Sequence, residues 1–165
     1  MILNLVILSI VTAERLVELL LANRNTRRLL GRGAKEYAPG HYPLIVALHA
    51  SWLATLWWLA PGRSIDAALL LLFVIVEFGR IWVLASLGPR WTTRIIVLEG
   101  APLVRKGPYR YLDHPNYVVV AAEIALLPLV FGLWRTALVF SLMNALLLAV
   151  RIRAENRALA QAHPG

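Results

Sequence analysis

The sequence predicts an all-α polytopic membrane protein with about five transmembrane helices, and three observations predict it. Hydrophobic residues fill 59% of the 165 positions and charged residues only 16%, with a mean hydropathy of +0.67. A soluble domain carries about 45–50% apolar and about 25% charged residues. The apolar residues also gather into runs near the roughly 20 residues that a helix needs to cross a bilayer core. Finally, the basic residues lie between alternate runs, so the net charge of +8 reads as one basic side of a membrane protein rather than a nucleic-acid surface. Disorder, collagen and disulfide scaffolds are excluded by the same composition, and the absence of cysteine removes thiolate nucleophiles and Cys-ligated metals.

The elements follow in order within a single integral membrane domain, residues 1–165. The first span is read at residues 2–22 and the second at 43–60, closed by the turn-forming pair Pro61-Gly62. The third is read at 65–87, the fourth at 117–131 and the fifth at 134–150. Only Gly132 and its neighbours separate the last two, which predicts a helical hairpin. Arg24, Arg27, Arg28, Arg32 and Lys35 follow the first span, Arg90, Arg94, Arg105, Lys106 and Arg110 the third, and Arg151, Arg153 and Arg157 the fifth. The intervening turns hold only Arg63 and Arg135, so the positive-inside rule puts the N-terminus outside and the C-terminus in the cytoplasm of a bacterial inner membrane. No internal repeat marks an inverted-repeat transporter.

Some residues in the spans are ionisable. Glu14 and Glu18 share a face of the first, Glu77 and Arg80 lie three apart on the third, and Glu123 lies in the fourth. A charge at the bilayer centre costs about 2.5–3.5 kcal/mol on insertion scales, so these groups are expected to face protein. Structural pairing joins Glu77 to Arg80 and either Glu14 or Glu18 to Arg15 or to a neighbouring helix. His41 and His49 lack the spacing of a metal site, and no metal is expected.

The chemistry is expected between the third and fourth spans, in residues 88–117, and after the fifth, in residues 150–159. The first stretch holds Gly107-Pro108-Tyr109-Arg110-Tyr111 and then His114-Pro115-Asn116-Tyr117. Pro and Gly fix its backbone, and its aromatics, His and Asn beside a membrane helix form a ligand seat or an aromatic belt. If the last helix continues past the membrane, Arg151 and Glu155 share one of its faces.

These two stretches, separated by a helical hairpin, resemble the C-terminal signature of the isoprenylcysteine carboxyl methyltransferase family. The resemblance covers about residues 87–159. It implies S-adenosylmethionine held on the cytoplasmic side, with His114, Tyr117 and Glu155 contacting it, Tyr109 and Pro115 shaping its pocket and Asn116 beside them. Arg151 and Glu155 are the implied catalytic residues, with Arg151 orienting the acceptor. Three positions depart from the family pattern: Asp113 stands where Arg is usual, Val119 where Gly is usual, and Asn156 where a second Glu is common. The run Tyr117-Val118-Val119-Val120 with Glu123 is similar to a bacterial branch associated with type III polyketide synthases, which implies an alkylpyrone or alkylresorcinol acceptor. The implied partners are a lipophilic small molecule and the bilayer. A nicotinamide-dependent reductase of the sterol-reductase type, which also carries His-Pro-Asn-Tyr, and a non-enzymatic accessory protein are the competing readings.

Overall fold

A computed structural model describes residues 1–162. Five helices carry the fold: α1 (Ile2–Leu30), α2 (Tyr42–Leu59), α3 (Ala67–Leu87), α4 (Pro115–Val130) and α5 (Trp134–Ala162). The protein is an all-α integral membrane protein. Among the described residues three segments are long and apolar enough to cross a membrane, Pro39–Leu59, Ala67–Arg90 and Trp134–Ala162. The other two helices depart from that standard for physical reasons. α1 has ample length but carries Glu14, Arg15 and Glu18. α4 has 16 residues, about 24 Å of helix, and contains Pro128 and Glu123. Arg80 of α3 bonds Glu18 of α1 and Glu123 of α4, and all three side chains are buried in protein.

The apolar core lies where α1, α2, α4 and α5 meet. Leu8, Trp52, Leu56, Ile124, Leu127 and Phe131 are among its fully buried members. At the end of the molecule opposite the basic segments, the Asn4 amide donates to the carbonyls of Ala60 (2.8 Å) and Arg63 (2.9 Å), which pins α1 to the α2–α3 turn. Asp66 caps α3 by accepting from the Leu69 amide at 3.0 Å. Gly132, at φ +68°, makes the tight turn of the α4–α5 hairpin that the sequence predicts.

At the basic end the helices run further than the apolar runs indicate. α1 continues to Leu30 and α5 to Ala162. Two short strands, β1 (Lys35–Tyr37) and β2 (Ile95–Val97), pair antiparallel with Glu36 opposite Ile96. This ribbon is absent from the sequence reading, because three-residue strands show no usable periodicity. It matters for position. Ile95 and Val97 pack on Ala158 and Ala162, with Tyr37, Ala154 and Leu159 at the margin, so the ribbon braces the extension of α5.

The intramembrane charges pair differently from the sequence expectation. Arg80 does not bond Glu77, three residues before it. Its guanidinium instead donates to Glu18 of α1 (Nη2 to Oε2, 2.6 Å, with Nε on Oε1) and to both oxygens of Glu123 of α4 (2.6 and 2.9 Å). Arg15 donates to Glu18 at 3.1 Å, as expected, and also stands 3.1 Å from Glu123. Partners from two other helices capture it, each presenting both carboxylate oxygens to the planar guanidinium.

Candidate functional site

Two walls build the site: the segment that leads into α4, and the extension of α5. Gly107 opens a short helical turn at φ +58°, and a β-carbon there would collide with the Ser86 hydroxyl of α3. Only glycine fits this approach. Gly107→Ala is expected to cost about 1–3 kcal/mol, and adding Ser86→Gly should recover only the part due to the collision; thermal unfolding of the purified single and double variants measures both.

The turn carries Tyr109 into the cleft, where burial and the nearby Glu155 carboxylate push its phenol well above the ordinary tyrosine range. It therefore stays protonated as a donor. Pro115 then starts α4 with its fixed φ at the first helical position. That start aims His114 and Tyr117 at α5. The His114 and Tyr117 rings stack with centroids 5.3 Å apart.

The two walls meet in one hydrogen-bonded chain. Arg151 Nε donates to the Tyr117 hydroxyl at 2.8 Å, and that hydroxyl donates to Glu155 Oε2. Arg151 Nη2 donates to the Thr93 carbonyl at 2.7 Å, and the guanidinium lies 5.6 Å from the Tyr117 ring centre. Nη1 of Arg151 has no hydrogen-bond partner among the described residues. His114 bonds Asn156 (Nε2 to Oδ1, 3.0 Å), with Glu155 3.8 Å from its other ring nitrogen. Asn156, one of the positions that departs from the family pattern, is thus a structural partner of His114.

This chain is a partition. On its outer side a polar cleft opens at the basic end, with adjoining compartments of about 150 and 910 Å³ that share Tyr109, Asp113, His114 and Glu155. On its inner side an apolar cavity of about 270 Å³ runs between α1, α2, α4 and α5. Thr92, Asn116, Tyr117 and Arg151 line both the cavity and the smaller outer compartment. Asn116 Oδ1 is buried there without a hydrogen-bond partner, a vacancy that suits a ligand donor.

Of the residues singled out in the sequence, the structure brings together Tyr109, His114, Asn116, Tyr117, Arg151 and Glu155. Pro115 is buried and lines none of these chambers, so its part is to start the helix. His41 lies outside them at the head of α2. Sequence reasoning missed Thr93, whose carbonyl holds Arg151, and Tyr42, whose hydroxyl shares a 3.2 Å hydrogen bond with the Thr93 hydroxyl. It also missed Arg94, which lies over the Tyr42 ring at 4.6 Å and bonds Glu36. No spacing signal marks these residues, since tertiary folding alone joins them.

The profile of the Isoprenylcysteine carboxyl methyltransferase (ICMT) family matches residues 68–161, more than half of the chain. The chain belongs to this family. The match covers α3, α4, α5 and both walls of the partition, so the family segment and the bonded chain coincide. The isoprenylcysteine carboxyl methyltransferase family is one of membrane methyltransferases that use S-adenosylmethionine as methyl donor. Two relatives match nearly end to end. Uncharacterized protein YpbQ of Bacillus subtilis (strain 168) is 38% identical, covering 93% of this chain and 94% of its own. An uncharacterized protein of Haemophilus influenzae (strain ATCC 51907 / DSM 11121 / KW20 / Rd) is 26% identical over 93% of each. No solved structure matches. Val119, another departure from the family pattern, faces Gly79 of α3, where a β-carbon would lie 3.8 Å from the Val119 side chain in ordinary contact.

Proposed function

We propose that the protein transfers a methyl group from S-adenosylmethionine to an oxygen of a lipophilic acceptor. One observation carries this reading: a polar cleft and an apolar membrane cavity meet at the Tyr117–Arg151 partition. The residues of the cleft fit the cofactor. Glu155 and the aromatic faces of His114 and Tyr117 suit a cationic sulfonium, the buried Asn116 oxygen offers an unused acceptor, and Tyr109 offers a protonated phenol. When bound there, S-adenosylmethionine supplies an activated methyl whose leaving group is a neutral thioether. The protein then has to align donor and acceptor and exclude water.

Arg151 is suited to the acceptor side. Two of its nitrogens are fixed by Tyr117 and Thr93, which leaves Nη1 for an acceptor oxygen carrying negative charge. Tyr117 couples the two sides, because its hydroxyl accepts from Arg151 and donates to Glu155. The acceptor is an anionic carboxylate or acidic hydroxyl on a lipid, such as an isoprenylcysteine-like acid or an alkylpyrone or alkylresorcinol. It reaches the apolar cavity from the bilayer.

An acceptor that arrives ionised needs no base at the transferring oxygen. Hydroxypyrone or carboxylate lipids should therefore be methylated faster than alcohols of equal chain length, with kcat/KM flat above the acceptor's own pKa. Acids and alcohols methylated alike, with a rise that tracks a protein group, would overturn this. The basic side is the cytoplasmic side. A reporter in the Gly62-Arg63 turn should be external and one fused after Gly165, outside the described residues, cytoplasmic; a cytoplasmic signal from both overturns the five-span arrangement.

A further inference from the structure

The apolar cavity holds polar groups at two depths, and the partition uses only one of them. The shallow layer is set by Thr93, which both Tyr42 of α2 and Arg151 of α5 bond. These two residues therefore lie at one level. From it α2 runs towards the α2–α3 turn, and α5, traced backwards, runs the same way. Seven residues along each helix, two turns or about 10 Å, stand His49 and Asn144. Both line the same cavity, and so does Arg15 of α1.

The deep groups have hydrogen-bonding capacity that the protein leaves unused. His49 Nδ1 lies 2.8 Å from the Ile45 carbonyl, which can only accept, so this nitrogen carries the proton. Nε2 is then a lone-pair acceptor, and it has no hydrogen-bond partner among the described residues. The Asn144 amide, in a residue only 3% exposed, also has none among them. Arg15 Nε is buried without one. Unpaired polar groups from three helices in a greasy cavity are costly unless a ligand meets them.

We infer that the deep layer recognises a hydroxyl on the acceptor, about 10 Å from the oxygen that is methylated. A hydroxyl is the group that both donates, to His49 Nε2, and accepts, from Asn144 or Arg15. A ketone has nothing to give His49, and a plain hydrocarbon tail leaves all three unpaired. The inference rests on the methyl-transfer reading for which oxygen reacts, and it narrows the acceptor to a lipid that is polar at two points.

The test uses the full-length protein in nanodiscs with S-adenosylmethionine, comparing palmitate with a hydroxypalmitate whose hydroxyl lies about 10 Å along the extended chain from the carboxylate. Displacement of a fluorescent fatty acid reads binding, and labelled methyl reads transfer. The hydroxylated chain should bind more tightly by about tenfold or more, since its absence leaves buried partners unpaired. His49→Leu and Asn144→Leu should each erase that preference while still binding S-adenosylhomocysteine, which shows that the variants are folded. Equal binding of the two chains by the unaltered protein, or a preference that survives both variants, overturns the inference. Preferential binding with no methyl transferred to either chain overturns the methyl-transfer reading and leaves the deep hydroxyl site standing.

Discussion

Arg80→Met should lower stability more than any other single change considered, by about 3–5 kcal/mol, the cost of removing one partner from a buried ion pair. Arg80 is 7% exposed and holds Glu18 and Glu123 on opposite sides of its guanidinium. Without it, two carboxylates from α1 and α4 face each other with only Arg15 between them. For a chain of this size the loss corresponds to about 10 °C in the unfolding midpoint. Thermal unfolding in a fixed detergent measures it. Adding Glu18→Gln and Glu123→Gln to Arg80→Met should restore much of the loss, because neutral amides remove the uncompensated charge. A midpoint unmoved by Arg80→Met would mean that the cluster is solvated rather than buried.

The second large effect is on cofactor affinity. Glu155→Ala removes the carboxylate that accepts from Tyr117 and faces the polar cleft, and His114→Ala removes the ring stacked on Tyr117. Each should weaken S-adenosylhomocysteine binding by about 1–3 kcal/mol, roughly five- to 150-fold in Kd. His41→Ala is the control: its imidazole lines neither the cleft nor the cavity. Equal losses in all three variants would show general folding damage instead of a binding role. Calorimetric titration distinguishes the outcomes.

Much of this architecture was legible in the residues because its signals are local. The apolar runs, the Pro61-Gly62 turn and the Gly132 hairpin each depend on neighbours in sequence. So do the helical start at Pro115 and the shared face of Arg151 and Glu155. The resemblance to the family added the site residues, and the fold brings six of them together in the cleft and its partition. What stayed hidden depends on distant partners. The Glu77–Arg80 spacing suggested a pair, but Glu18 and Glu123 lie 62 and 43 residues from Arg80 and capture it instead. The β1–β2 ribbon is too short to leave a period, although it braces the end of α5. Thr93 shows nothing unusual in sequence; its carbonyl matters because the chain after α3 returns beneath Arg151.

The most direct measurement is a titration of the purified, unaltered protein with S-adenosylhomocysteine and, separately, with reduced nicotinamide cofactor. A polar cleft built for the methyl donor should bind S-adenosylhomocysteine saturably at one site per chain and show no saturable response to the nicotinamide. Saturable nicotinamide binding without S-adenosylhomocysteine binding would contradict a methyltransferase and point to a reductase, and binding of neither would contradict a cofactor site at the Tyr117–Arg151 partition.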